Sequence, residues 1–285
     1  MAPPTTIDSL PNEILMQILD TFPTRSLLPL AAVSQRFNAH VAAVHYTRLV
    51  EAATLRDHEL ILECYHPSAK ISTPYLHCEY LGTDGIAETG LDPTLRGLND
   101  LYSRFRPVSS SQSRRPRARY PTKRAIESAK EPLAEEAPSH DVFLDSGELF
   151  SQLCTVTNLV KVGPRRGLFL SHANITDGVI RVWRDWLLRE AAKTADGTQR
   201  VSMGADDSSI LWADSSKNVG LKVRVVEQTD MHAPVLVGPE DDPPLSYTLV
   251  YEELLIRTNQ VLLHMEKSEA QQVTHAGKAV VIASM

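Results

Sequence analysis

From residue 10 to 37 the chain reads LPNEILMQILDTFPTRSLLPLAAVSQRF, and its apolar positions fall at helical steps. Ile14, Leu15, Ile18, Leu19 and Phe22 recur every three or four residues, which predicts one apolar stripe along a short helix. Pro11 suits the first turn, where its missing N–H is no loss, and Glu13 lies near the positive end of the helix dipole. Pro23 ends this helix. Ser26 offers a cap for a second helix carrying Leu27, Leu28 and Leu30, with Pro29 tolerated because it falls in the first turn. Ser34 can cap a third helix that aligns Phe37, Val41, Val44 and Leu49. A unit spanning 1–56 is too small to bury so much aliphatic surface within itself, so part of it must face another domain or another protein.

After the third helix the period shortens. Leu60, Ile61, Leu62, Cys64 and Tyr65 read as a strand, and Tyr75–Leu81 as a second one stopped by Gly82. Residues 91–106 look loop-like or briefly helical. The stretch 107–140 is poor in aliphatic residues: Arg114, Arg115, Arg117, Arg119, Lys123 and Arg124 are followed by Glu127, Glu131, Glu135 and Glu136. Such a segment cannot offset its ordering entropy, so a disordered insertion is expected there. From Val142 onward β signals dominate. Leu221, Val223 and Val225 alternate with Lys222 and Arg224, as on a strand with one wet face. Residues 178–187 and 210–213 supply aromatic anchors, 247–257 reads as another strand, and 258–265 fits a terminal helix. Turns rich in Gly, Asp and Pro fall at 163–167, 204–207, 214–220 and 238–244.

The resulting expectation is an α+β chain. A three-helix domain (1–56) precedes an antiparallel β-sandwich of jelly-roll type, built from 57–106 and 141–270, with a flexible tail at 271–285. No internal repeat occurs, which argues against leucine-rich repeats and a WD-type propeller.

The order Leu-Pro-x-Glu-Ile-Leu, Ile-Leu, Pro, Leu-Leu, Val-Ser, Phe over about residues 7–50 resembles an F-box. Two details depart from the commonest pattern: Arg25–Ser26 stands where an acidic residue often precedes the Leu pair, and Phe37 replaces a frequent Trp. The resemblance implies docking to the Skp-type adaptor of a cullin-based ubiquitin ligase, through Leu10, Pro11, Ile14, Leu15, Ile18, Leu19, Leu27, Leu28, Leu30, Val33 and Phe37. An ordinary helical cap on a globular domain is the alternative reading of the same residues. LYSRF at 101–105, GLFLSHANITDGVIRVWRDWL at 167–187, ILWAD, VGLKVRV and YEELLIRT resemble fungal F-box proteins whose β-rich C-terminal region is distantly similar to F-box-associated, lectin-like sandwiches. The implied role is a substrate receptor that makes no covalent bond itself. A lectin- or ligand-binding sandwich, whose F-box pairs with the adaptor outside any ligase, is the rival.

Net charge changes little in this picture. At −6 it is mild and calls for neither nucleic acid nor an anionic membrane. No apolar run approaches the ~20 residues of a membrane helix, and the opening MAPPTT predicts no secretory signal. Cys64, Cys78 and Cys154 are odd in number and widely spaced, which fits reduced thiols in the cytosol or nucleus. The Asn174-Ile175-Thr176 sequon is then best read as a turn before Asp177-Gly178.

Candidate chemistry is thin. Cys64-x-His66 and His77-Cys78 lack the spacing of a zinc knuckle, and neighbours on a strand point to opposite faces, so no metal or other cofactor is expected. Ser139-His140-Asp141 is contiguous, whereas a triad meets across space, and no Gly-x-Ser-x-Gly elbow occurs; no enzyme is expected. The basic run 114–124 reads as a solvated linker or a nuclear import signal. Target recognition is expected at the acidic turns, through Asp206, Asp207, Asp241 and Asp242, with Trp186 at a surface rim. Trp183, Trp186 and Trp212 could together line a ligand or degron groove, but their placement in strands among aliphatic residues favours packing in the core.

Overall fold

The computed structural model describes residues 7–71, 73–89, 93–109, 137–164, 168–195, 209–228 and 244–274. Its helical start follows the apolar stripe: α1 (Asn12–Asp20), α2 (Thr24–Leu27) with a 3-10 turn over Leu28–Ala32, and α3 (Gln35–Ala53). Ser34 caps α3 as its position suggests, its Oγ accepting from the Phe37 N–H at 3.2 Å. The second helix begins earlier than Ser26, at Thr24, with Pro23 before it and no side-chain cap of its own. Leu15, Leu19, Leu27, Phe37, Val41 and Val44 meet in one buried cluster. Each fully buried Leu there contributes about 1.5–3 kcal/mol.

The remainder is one antiparallel sheet. Its strands are β1 (His58–Tyr65), β2 (Leu76–Thr83), β3 (Tyr102–Ser109), β4 (Ser139–Leu144), β5 (Phe150–Val162), β6 (Phe169–Trp183), β7 (Ile210–Trp212), β8 (Val219–Glu227) and β9 (Leu245–Arg257). Short helices α4 (Ile86–Thr89) and α5 (Leu95–Asn99) precede β3, α6 (Arg184–Ala195) follows β6, and α7 (Thr258–Thr274) follows β9. The hydrogen-bonded order is β6-β5-β1-β2-β3-β9-β8-β7. β3 and β4 both pair with β9, β3 against Leu254–Arg257 and β4 against Leu245–Val250. Interior residues from every strand, among them Leu60, Leu76, Phe105, Val142, Leu159, Val182, Leu211, Leu221 and Leu249, form one cluster closed by Leu187 of α6 and Val261 of α7.

The α+β class, helices first and antiparallel strands after, is as the sequence led us to expect. The strands do not divide into two facing sheets, however; they form one continuous path that curls until its edges approach. Strands of 13 and 15 residues, β5 and β6, are long enough to serve both halves. Bulges at Thr157/Asn158, Tyr80/Gly82 and Lys222/Val223 bend the sheet. Alternation reveals which face is wet but not whether a sheet is split.

Other differences are local. Gly82 does not stop β2; at φ +154° it forms the bulge through which the strand continues to Thr83. The stretch 91–106 holds α5 and the start of β3, because Tyr102, Ser103 and Phe105 find partners on β9 that local sequence does not show. Pairing runs to Ser109 and resumes at Ser139, so both ends of the expected insertion 107–140 are strand, while 110–136 lies outside the described residues. The expected tail 271–285 begins inside α7. The sequon lies within β6, not in a turn, and the Asn174 amide donates to Asn158 Oδ1 at 2.9 Å. Trp186 is on a helix rather than a strand, since β6 ends at Trp183.

Candidate functional site: the N-terminal helical face

Packing sorts the apolar residues of the helical unit into two groups. Leu15 (0%), Leu19 (1%), Leu27 (0%) and Phe37 (5%) are internal and hold the helices together. Ile14 (43%), Ile18 (39%), Leu28 (37%) and Val33 (65%) stand in solvent. Ile14, Ile18 and Phe22 follow each other at four-residue steps, forming an exposed stripe beside the buried one. Leu10 and Leu30 are half-buried, Pro11 is exposed, and the exposed Ile7 extends the apolar surface. Of the eleven residues named for docking, those four interior ones are therefore not at the surface. Hydropathy alone could not separate them, because both groups are strongly apolar.

Polar contacts fix this face. Asn12 Oδ1, at the start of α1, accepts from Arg36 (3.1 and 2.8 Å) and from His40 Nε2 (3.1 Å), and Arg36 also donates to the Leu10 carbonyl. α1 is thereby pinned to α3.

The unit is also bolted to the sheet through α7. Glu266 accepts from the Thr24 N–H at 3.1 and 3.2 Å and from the Thr24 hydroxyl at 2.6 Å, so a residue 242 positions away supplies the cap that α2 lacks. Arg48 lies 3.6 Å from the same carboxylate and donates to the Asp20 carbonyl at 2.7 Å. Leu49 and Ala52 of α3 meet Leu98, Leu101 and Leu262 in an apolar cluster beside it. No pattern in the sequence announces Glu266. Replacing it with Ala removes the acceptor from a buried helix end and should lower stability by about 1–3 kcal/mol. Glu266→Gln keeps a carbonyl acceptor and should recover part of that in a urea titration.

Two buried histidines flank the same helix. His45 Nε2 donates to Asn259 Oδ1 (2.8 Å), leaving a buried Nδ1 without a hydrogen-bond partner. His58 Nδ1 donates to the Arg56 carbonyl (2.8 Å) while its Nε2 faces the Ser268 hydroxyl at 3.0 Å. Burial holds both below the ordinary histidine value, so the folded chain keeps them neutral. The unfolded chain takes up these protons first. Stability is therefore complete above the unfolded value of about 6.5 and should fall as pH drops through it towards 5, visible as a declining melting temperature.

The other sequence candidates are dispersed. His77 faces outward, 3.5 Å from Glu59 and edge-on to Tyr75, while Cys78 points inward opposite Leu60. Burial raises the Cys64 and Cys78 thiols far above the usual range, which keeps them protonated and inert as nucleophiles or ligands. Among the described residues, no group of three or more His, Cys, Asp or Glu could hold a metal. Ser139, His140 and Asp141 alternate along β4, and Asp141 Oδ1 accepts from Gln228 and Thr248, each at 2.7 Å. Asp206, Asp207, Asp241 and Asp242 lie outside the described residues. Trp186 is half-buried beside the sheet core. No described helix is long and apolar enough to cross a membrane.

Residues 7–50 match the F-box-like family model, over the same span as the helical unit and its exposed stripe. This unit is an F-box-like domain. F-box domains generally bind Skp-type adaptors, which gives the chain an adaptor-type role. No curated protein and no solved structure matched the chain.

Proposed function

We propose that the chain is a substrate receptor of a cullin-based ubiquitin ligase. Ile14, Ile18, Leu28 and Val33 dock the Skp-type adaptor, and the curled sheet holds a target. The observation that carries this reading is the coincidence of the F-box-like match with an aliphatic surface that the fold leaves in water. Such a surface costs free energy until a partner covers it. Leu15, Leu19, Leu27 and Phe37 act indirectly, by keeping the helices in the arrangement that presents this face.

The chain performs no chemistry in this scheme. It raises the effective concentration of the target beside the ubiquitin-charged conjugating enzyme, which needs a fixed separation between adaptor face and target face. The cap from Glu266 and the cluster around Leu262 give that rigidity. Cytosol and nucleus are the compartments where such a ligase and three free cysteines belong. Affinity purification of the intact chain, and of one lacking 7–50, tests the reading. Recovery of adaptor and cullin with the intact chain alone is expected; intact chain that recovers neither rules the proposal out.

A further inference from the structure

β6 and β7 are the two edges of the sheet, and among the described residues no ladder joins them. They touch at Gly178, where a Cβ would fall 2.8 Å from the Ala213 carbonyl oxygen. Past that contact, β6 runs on from Val179 to Trp183 with β5 as its ladder partner on one side. Along this seam lies a groove of ≈ 670 Å³ lined by Trp183, Trp186 and Trp212, with Val179, Arg181 and Arg189. The sequence contains three tryptophans, so all of them stand on this one groove.

Each wall has a cause. Ile180 and Val182 turn into the core, so alternation sends Val179 (58% exposed), Arg181 and Trp183 (47% exposed) outward. Trp183 packs on Phe150 with ring centroids 5.1 Å apart, and the Arg181 guanidinium lies 5.3 Å from the same Phe150 ring. Trp212 lies over Gly220, where a Cβ would stand 2.8 Å from the indole, and Lys217 Nζ is 5.5 Å from the indole centroid. Among the described residues, no carboxylate lines the groove.

Half-exposed tryptophan beside exposed valine is surface that a partner would cover. A strand edge without a ladder is a template for an added strand. Cations without carboxylates select an acidic partner. We infer that this seam holds the target as an extended acidic segment laid along β6. Residues of an added strand facing outward would lie beside Val179, Arg181 and Trp183, two positions apart. Laid parallel to β6, the segment therefore carries the motif apolar-x-Glu/Asp-x-aromatic. Its acidic side chain meets Arg181 and Arg189, and its aromatic one enters among the tryptophans. Calling this segment the target rests on the receptor reading above.

Because every tryptophan is on the groove, intrinsic emission of the full chain reports this site. The probe is a blocked heptapeptide with Leu, Glu and Phe at its second, fourth and sixth positions and Ser elsewhere. Saturable change in emission is expected. A Lys-for-Glu peptide and a scrambled peptide should bind at least about tenfold more weakly. Trp183→Ser should weaken binding by a similar factor with the far-ultraviolet circular dichroism unchanged. Arg181→Glu with Arg189→Glu should reverse the preference between the Glu and Lys peptides, which lost structure alone would not do. No saturable change, equal binding of all three peptides, or variants that bind like the parent would overturn the inference. So would phosphatidylserine vesicles that alter the emission and resist displacement by the peptide, since the patch would then be a membrane surface. Adaptor capture is scored separately. Adaptor binding without peptide binding overturns the groove alone, and peptide binding without adaptor binding overturns the docking proposal alone.

Discussion

Ile14→Asp combined with Leu28→Asp is expected to abolish adaptor capture while the melting temperature stays close to that of the parent chain. Both side chains stand in solvent, at 43% and 37% exposure, so their loss removes little from the folded unit. Docking covers only the remaining two fifths of each side chain, so at about 1.5–3 kcal/mol for a whole one each would forfeit roughly 0.6–1.2 kcal/mol. Together that is about 1.2–2.4 kcal/mol, or roughly one to two orders of magnitude in affinity, to which covering two unpaired carboxylates adds the larger cost. Leu15→Asp is a poor test by contrast. Leu15 is fully buried among Leu19, Leu27 and Phe37, and a carboxylate there unfolds the helices whether or not anything docks. Calorimetry alongside adaptor pull-down separates the cases, and undiminished capture by the Ile14/Leu28 variant would remove the docking face from consideration.

The largest stability loss is expected from Phe105→Ala. Phe105 on β3 is fully buried within the cluster that every strand shares, and its ring centroid lies 5.7 Å from that of Tyr80 across the ladder. Removing a buried Phe ring costs about 3–5 kcal/mol in transfer and cavity terms. A domain is typically stable by only about 5–15 kcal/mol. The urea midpoint should therefore fall steeply with an unchanged denaturant slope. A loss below about 1 kcal/mol would mean that the interior closes over the gap, contrary to a tightly packed core. Because β3 sits beside the residues that α7 packs against, adaptor and target binding should both decline at temperatures where the parent chain keeps them.

Sequence and structure agree most where neighbours along the chain decide. The helix stripe from Ile14 to Phe22, the Ser34 cap and the alternation of Leu221, Val223 and Val225 are local patterns set by the helical and strand repeats. They were legible because a single residue's geometry fixes where the next one points. The strand at Tyr102–Ser109 was hidden by the polar residues around it, and the helix at Arg184 by the β-branched run that leads into it. In both places tertiary partners outweighed local propensity.

The docking face was legible as a set of positions but not as a surface. Ile14 and Leu15 are adjacent and nearly identical in hydropathy, yet one is in water and the other in the core. Only the direction of α3, fixed by Asn12, Arg36 and His40, separates them. The groove was less legible still. Trp183, Trp186 and Trp212 are visible in the sequence, but their meeting depends on β6 and β7 being opposite edges of one curled sheet.

The sequence by itself thus determined the helical unit at 7–50, the antiparallel character of the strands beyond it and the mild, dispersed charge. These depend on periodicity and composition, which act over a few residues. Only the tertiary structure decided that the strands form one path, that Glu266 caps a helix 242 residues earlier, and which leucines are covered. Those outcomes depend on contacts between residues far apart in the chain, where the free energy of packing the whole selects one arrangement among several that the local pattern permits.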